Sequence, residues 1–403
     1  MSVVADRPVP ASARNKVAER AEGSGWDLWL LGSVAGLISM GFLYVLSASG
    51  PFATHAFDDP WFFTKRQVAG LVLGVLVALV LLATPWRWYR RAAYPAYGIT
   101  VLMVYMVHLP FIGHAAKGAP RWIDIGPFNI QPSELAKPAL ALAMANYLAR
   151  NEGHLKDFMG VVAIPIGLGL APMLLGIALQ SDLGALALIV GIVGVGVFVA
   201  GIEWKWLVAL GLVIGVLVAG LVLMEPYRMA RIVGFLDPLG DAQGDGYQVV
   251  QGWVAFAEGG LFGKGLGQGV AQQGFLPEAH TDMISAVVAE ELGVFGWSLL
   301  IVLYAIMLWR GTRIAMNAKG LFEMVLASCL SAVLAAQVVV NLGVVAGLVP
   351  PKGLVLPFMS YGASALISHM VMIAILLRVG LETRRTEIAA EQAVQRAPAR
   401  AGA

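Results

Sequence analysis

Apolar residues run through this chain in long blocks broken by short polar stretches, without the strict alternation of a strand or the single stripe of a surface helix. A membrane-crossing helix needs about 20 largely apolar residues. Ten segments approach that length, near 27–47, 67–84, 93–110, 134–149, 159–177, 183–202, 207–224, 283–309, 321–348 and 364–378. The 134–149 segment is short and interrupted by Asn146. The pattern predicts an all-α integral membrane protein of about ten transmembrane helices, with a large extracytoplasmic loop over 225–282 between helices 7 and 8. A cytoplasmic N-terminal tail occupies 1–26, the membrane domain 27–380 and a cytoplasmic C-terminal tail 381–403, with a short disordered end expected after Arg385. The polar first 25 residues show no small-residue cleavage pattern after the first apolar run, so they read as a tail rather than a signal peptide.

Orientation follows from the basic residues, which favour the cytoplasmic side of a membrane. With the N-terminus inside, 18 of the 27 Lys and Arg residues fall on inner segments and nine on outer ones. That bias supports an even number of spans with both termini inside. The acidic residues lean the other way, with 14 of 25 on the outer side, nine of them between Glu225 and Glu291. Outer polar chemistry is therefore concentrated.

Composition narrows the class. Hydrophobic residues make up 59% of the 403 and charged residues only 13%, about half the fraction usual for soluble domains, so a soluble enzyme is excluded. The net charge of +2 is small and dispersed, which argues against a nucleic-acid partner. The lone Cys329 permits neither a disulfide framework nor a cysteine metal site. The glycine stretch at 258–269 does not fit GxGxxG and follows no predicted strand, so it reads as a close-packed loop.

Three motifs carry candidate chemistry. In the first, Arg121 to Gly126 leads into Gln131-Pro132-Ser133-Glu134-Leu135-Ala136-Lys137. Pro132 suits a first helical turn, and Glu134 and Lys137, three apart, share a face. They form either a helix-start salt bridge or part of a substrate path, since intramembrane charges mark such paths; Lys117 and Arg121 would add donors suited to a phosphate. In the second, Leu276 to Gly293, Asp282 enters the membrane near a helix N-terminus and reads either as a cap or, with Glu278, His280, Glu290 and Glu291 around it, as part of a polar cavity. In the third, residues 341–365, Pro350, Pro351, Pro357, Gly353 and Gly362 exclude a regular helix, and irregular backbone at membrane depth needs protein or a water-filled cavity around it. Lys352, Ser360 and Tyr361 offer a cation and hydroxyls there.

The motifs QPSELAK, HTD followed by EELG, and PPKGLVLPFMSYGAS, in that order and on one side of the membrane, closely resemble signatures of the SEDS family, the shape, elongation, division and sporulation proteins. The resemblance covers about residues 27 to 380, and Lys352-Gly353 is similar to the division branch rather than the elongation branch. It implies a bacterial peptidoglycan glycosyltransferase of the cytoplasmic membrane, acting at the division septum. Such an enzyme polymerises lipid II with a class B penicillin-binding protein supplying transpeptidation and other division membrane proteins as partners.

Carried onto this chain, the resemblance implies Asp282 as catalytic carboxylate and base for the acceptor 4-hydroxyl. It implies Arg121, Gln131, Glu134, Lys137, Asp182, His280, Lys352, Ser360 and Tyr361 as residues shaping the cavity and binding sugar or pyrophosphate. A divalent cation, Mg2+ or Mn2+, could offset charge on the departing pyrophosphate; no organic cofactor is expected. The chain departs from the family pattern at Ser181, at Ala363 in SYGAS and at Met283 and Ser285 beside Asp282. Intramembrane charges and broken loops also fit a lipid II flippase, although the outward lean of the polar groups favours chemistry on a substrate already outside.

Overall fold

The Asp27 carboxylate accepts the amide of Leu30 at 3.0 Å and so opens the first helix, satisfying a donor that has no intrahelical partner. The computed structural model describes residues 25–396, apart from 117–118, 127, 207, 210, 213–214, 216–219, 221–225 and 245. Helices α1 (Leu28–Phe57), α2 (Phe62–Ala83) and α3 (Trp86–Met106) are followed by a small sheet of strands β1 (Gly113–Ala116), β2 (Ala119–Ile125) and β3 (Phe128–Ile130). Then come α4 (Pro132–Arg150), α5 (Ile164–Leu179), α6 (Leu183–Val199), α7 (Pro226–Leu236), α8 (Tyr247–Gly259), α9 (Ile284–Asn317), α10 (Leu321–Val345) and α11 (Ala363–Arg396).

Five of these helices, α1, α2, α9, α10 and α11, are long and apolar enough to cross a membrane, with α5 and α6 as shorter apolar helices. The chain is thus a polytopic helical membrane protein. Among the described residues, α1 to α6 and α9 to α11 follow nine of the expected spans. The seventh, at 207–224, lies largely outside the described residues, as do Lys117 and the N-terminal tail before Gly25.

The helical class holds, with one addition and one correction. Between α3 and α4 the chain forms a small three-stranded antiparallel sheet in the order β1-β2-β3, with Ile123 opposite Ile130 and Ile125 opposite Phe128. Gly126 turns β2 into β3 at φ +59°, a backbone region that glycine enters without penalty. The residues beyond Arg385 are not a structureless end, because α11 continues to Arg396. This stretch is rich in Ala, Glu, Gln and Arg, which are good helix formers, and Glu387 is tied to Lys319 at 3.0 Å.

Helix α4, the most interrupted of the expected spans, sits at the centre. It packs against α3, α6, α10 and α11, and most of its residues are buried. Protein rather than lipid surrounds it, so the bundle tolerates Glu134, Lys137 and Asn146 there.

Helix α9 breaks at Gly293, whose φ of 66° and ψ of −162° leave the helical region. The 259–265 segment inserts into the break. Lys264 and Gly265 donate their amides to the carbonyls of Glu290 and Glu291, while Val294 and Phe295 donate to Gly260 and Leu261. A Cβ on Gly259 would stand 2.0 Å from the Ala289 carbonyl oxygen and one on Gly263 would stand 2.1 Å from that of Glu291. The glycine stretch is therefore a close-packed loop that grips the outer half of α9.

Candidate active site at the outer end of the bundle

Four connections meet at the end expected to face outward: β3 to α4, the α5–α6 corner, the 276–283 segment before α9, and the 346–362 loop before α11. Among the described residues, three of the five non-glycine residues with positive φ, Ser181, Glu278 and Phe358, lie in these connections. Such conformations cost roughly 1–3 kcal/mol each and persist where surrounding structure imposes them.

The loop before α11 and the segment before α9 are laced together. Ser360 Oγ donates to the Thr281 carbonyl at 2.6 Å and accepts the Leu356 amide at 2.8 Å, while the Tyr361 amide donates to the His280 carbonyl at 2.9 Å. Buried Asn341 on α10 donates to the carbonyls of both Asp282 and Leu354, at 2.9 and 2.8 Å. Gln67 on α2 donates to the Ser360 carbonyl and accepts the Gly362 amide.

These bonds set Asp282 beside Lys352-Gly353. A Cβ on Gly353 would lie 3.2 Å from Asp282 Oδ2, so a side chain there would crowd the carboxylate. The N-cap position of α9 is Met283, so Asp282 stands one residue ahead of the helix.

Asp182 borders the same loop. Its carboxylate accepts the Ala185 amide at 3.0 Å, capping α6, and Gln131 Nε2 at 3.5 Å. A Cβ on Gly184 would meet Leu354 Cδ2 at 2.9 Å, which places the α5–α6 corner against the residue next to Gly353. Asp282, Gln131 and Asp182 thus border one loop segment, Gly353-Leu354.

Other sequence-selected residues serve the scaffold. Arg121 donates Nε to the Gln180 carbonyl and Nη2 to that of Ser181, at 3.0 and 2.8 Å, closing the carbonyl end of α5 as cations do. Lys137 is fully enclosed and reaches Glu134 Oε2 at 2.6 Å, while the Glu134 carbonyl accepts Ser368 Oγ at 2.7 Å. The pair closes within α4, and the Glu134 backbone carbonyl ties α4 to α11. Ser360 is a staple, and His280 packs its ring against Phe63, Phe52 and Tyr361. Burial pushes the Tyr361 phenol above its ordinary value, opposed by Arg66.

The paired acids of α9 diverge. Glu290 takes Lys264 at 3.1 Å and the amides of Val270 and Ala271; Glu291 accepts Ser47 Oγ from α1 at 2.7 Å. Among the described residues, no group of three or more His, Cys, Asp or Glu side chains is arranged to hold a metal ion. Sequence reasoning passed over Gln67, Asn341 and Ser364, the last bridging the Gln131 amide to the Asn129 carbonyl. A polar residue inside an apolar run was the available signal.

Comparison with known proteins adds to this geometry. Residues 28–385 match the family model for FtsW, RodA and SpoVE, described as cell cycle protein. The chain is 38% identical to the probable peptidoglycan glycosyltransferase FtsW of Legionella pneumophila over 94% of this chain and 96% of that one. It is 37% identical to the stage V sporulation protein E of Bacillus subtilis over 89% and 98%. Among solved structures, one chain of a peptidoglycan synthase complex, studied for the coordination of polymerization and crosslinking, superposes with a TM-score of 0.72 at 31% identity, covering 89% of this chain and 98% of that one. The rod shape determining protein RodA of Thermus thermophilus gives 0.66 at 30% identity, covering 89% and 97%.

Proposed function

The chain belongs to the FtsW, RodA and SpoVE family of cell cycle proteins, and on that footing we propose that it is a division-type peptidoglycan glycosyltransferase that polymerises lipid II. It works at the outer face of the bacterial cytoplasmic membrane, with both termini inside, at the septum. The observation that carries the reading is the placement of Asp282: an acid at the head of α9 that stands against Gly353 of the loop before α11.

In the reaction, the acceptor 4-hydroxyl attacks the donor anomeric carbon. The new glycosidic C–O bond forms as the bond to the polyprenyl pyrophosphate breaks, and the hydroxyl proton passes to the Asp282 carboxylate, the general base. The pyrophosphate leaves as an anion, and Lys352 faces its developing charge. Gln131 and Asp182 orient sugar hydroxyls beside the same loop. A divalent cation fits this donor set only as Mg2+ is often bound, through one or two carboxylates with the substrate's phosphate oxygens completing the shell; Asp282 and Asp182 are the carboxylates available, and the ion would neutralise pyrophosphate charge. A class B penicillin-binding protein crosslinks the product, a partnership supported by the likeness to the synthase complex.

Reconstitution with lipid II, the penicillin-binding partner and a divalent cation tests the proposal. Wild type is expected to make glycan strands and Asp282→Ala none. Transfer of labelled lipid II across vesicles without strand synthesis would favour a flippase instead.

A further inference from the structure

Next to the site just described, on the side of α1 and α2, lies a shelf of aromatic rings that the proposed chemistry does not use. Phe57 stacks on Phe62 at 3.9 Å between centroids and 6° between planes. Phe62 and Phe57 each meet Phe63 edge-on, and Phe63 meets His280 at 4.8 Å and Tyr361 at 4.9 Å. Phe52 lies parallel to the His280 ring at 5.9 Å. The Arg66 guanidinium sits over Phe62 at 4.2 Å. Phe52 and Phe57 remain 51% and 46% exposed, and Trp61 on the same corner 49%.

Depth separates this shelf from ordinary lipid-facing surface. The ion pair of Asp27 with Arg310, at 2.7 Å, marks the inner boundary at the foot of α1. At 1.5 Å per residue, Phe52 stands about 36 Å and Phe57 about 43 Å above Leu28, beyond a hydrocarbon layer of about 30 Å even with a typical tilt. The rings therefore stand at or above headgroup level, where the sugars of a lipid-linked substrate travel. They are also continuous with the site, because His280 is two residues from Asp282 and its carbonyl holds the Tyr361 amide.

We propose that Phe52, Phe57, Phe62 and Arg66 form a saccharide subsite that seats the glycan chain of the substrate beside Asp282. The occupant is a β-linked amino-sugar oligosaccharide. The C–H faces of such pyranoses are apolar and settle on exposed ring faces, which offer a large rigid surface at small entropic cost. Arg66, backed by Phe62, presents donors in the fixed fork that suits a carboxylate on the muramic acid or its peptide. This inference rests on the glycosyltransferase reading and names where its polymer is held.

The test uses the full-length chain in lipid nanodiscs, with a lipid-free tetrasaccharide of alternating N-acetylglucosamine and N-acetylmuramic acid as probe. Binding needs no turnover. Wild type is expected to bind; Phe52→Ala to weaken binding about tenfold, the loss of one stacked ring; and Phe52→Trp to restore it. Leu43→Ala, an exposed residue of the same helix at lipid depth, serves as control and is expected to bind as wild type. Phe52→Ala should also shorten the strands made from lipid II. No tetrasaccharide binding by wild type, or equal binding by Phe52→Ala and wild type, overturns the subsite, as does a Phe52→Ala effect confined to melting temperature, the signature of a membrane-anchoring belt. Oligosaccharide binding without strand synthesis would sink the polymerase reading and keep the subsite; strand synthesis with unchanged Phe52→Ala binding and strand length would do the reverse.

Discussion

The Ser360 hydroxyl donates to the carbonyl of Thr281 at 2.6 Å across 79 positions of sequence, and it accepts the Leu356 amide from its own loop. One side chain therefore fixes the loop carrying Lys352 to the turn carrying Asp282. Ser360→Ala orphans a buried amide and a buried carbonyl, each worth roughly 1–3 kcal/mol. Thermal unfolding in detergent should show a drop of several degrees, and strand synthesis should fall as the two segments drift. Ser360→Thr keeps the hydroxyl and should retain most of both.

Asp282→Asn separates chemistry from architecture. The amide preserves shape but cannot take the acceptor proton, so polymerisation should fall by about 10²-fold or more. Because asparagine keeps the size and shape of the side chain, the melting temperature should change far less than the rate. A parallel loss of melting temperature and rate would show that the carboxylate is structural.

Glu134 and Lys137 are predicted to behave as a coupled pair. Removing one partner leaves the other charge buried, at a cost of roughly 3–5 kcal/mol, whereas replacing both with apolar or neutral groups of similar size is often near neutral. Lys137→Met and Glu134→Gln should each unfold well before wild type, and the double variant should recover much of the loss. Additive losses would contradict the 2.6 Å pairing.

Two glycines make a contrasting test. Gly259→Ala would force a Cβ to within 2.0 Å of the Ala289 carbonyl oxygen, whereas Gly98 has nothing within 4 Å. Gly259→Ala should yield little monodisperse protein. Gly98→Ala should be neutral or stabilising by about 0.5–1 kcal/mol, because alanine loses less backbone entropy in a helix.

The outer clasp of Glu258 and Lys264 should give a pH signature. The hydrogen bond to Lys264 holds the Glu258 carboxyl below its ordinary 4.5, and the bond to Glu258 holds the Lys264 ammonium above 10.5. The glutamate's contribution is full above pH 4.5 and is lost as pH falls through its lower folded value. The lysine's is full below 10.5 and is lost as pH rises through its higher folded value. Limited proteolysis of the 259–283 segment should therefore be slowest between those limits, and Glu258→Gln should flatten the acid limb.

Much of the architecture was legible along the chain because hydrocarbon imposes a length and composition rule on each span independently. Helices α1, α2, α9, α10 and α11 answer to it. The break before α11 was readable from its prolines and glycines. The β1–β3 sheet was not, since its strands are three to seven residues long, too short for periodicity to register. The helical continuation past Arg385 was also hidden, because its ion pair with Lys319 joins positions 68 residues apart.

The candidate site divides along the same line. Residue types near the expected outer boundary were enough to single out Asp282, Glu134, Lys137 and Lys352, since a charge near hydrocarbon is costly wherever the chain goes; Asp182 was implied by the family resemblance. The Glu134–Lys137 pairing was readable from its spacing of three, but only the tertiary structure assigned the other parts: Arg121 closing α5, Ser360 stapling two loops, and Asp282 set beside Gly353. Those assignments depend on which partner a polar group finds across the bundle, and hydrogen bonds over gaps of 51 to 295 residues leave no trace in local spacing. The sequence by itself determined that the chain lives in a membrane, because each span must meet hydrocarbon's length and composition rule alone; the packing of α4 against α10 and α11 decided that Glu134 and Lys137 are enclosed in the bundle, because only neighbouring helices can shut them off from water.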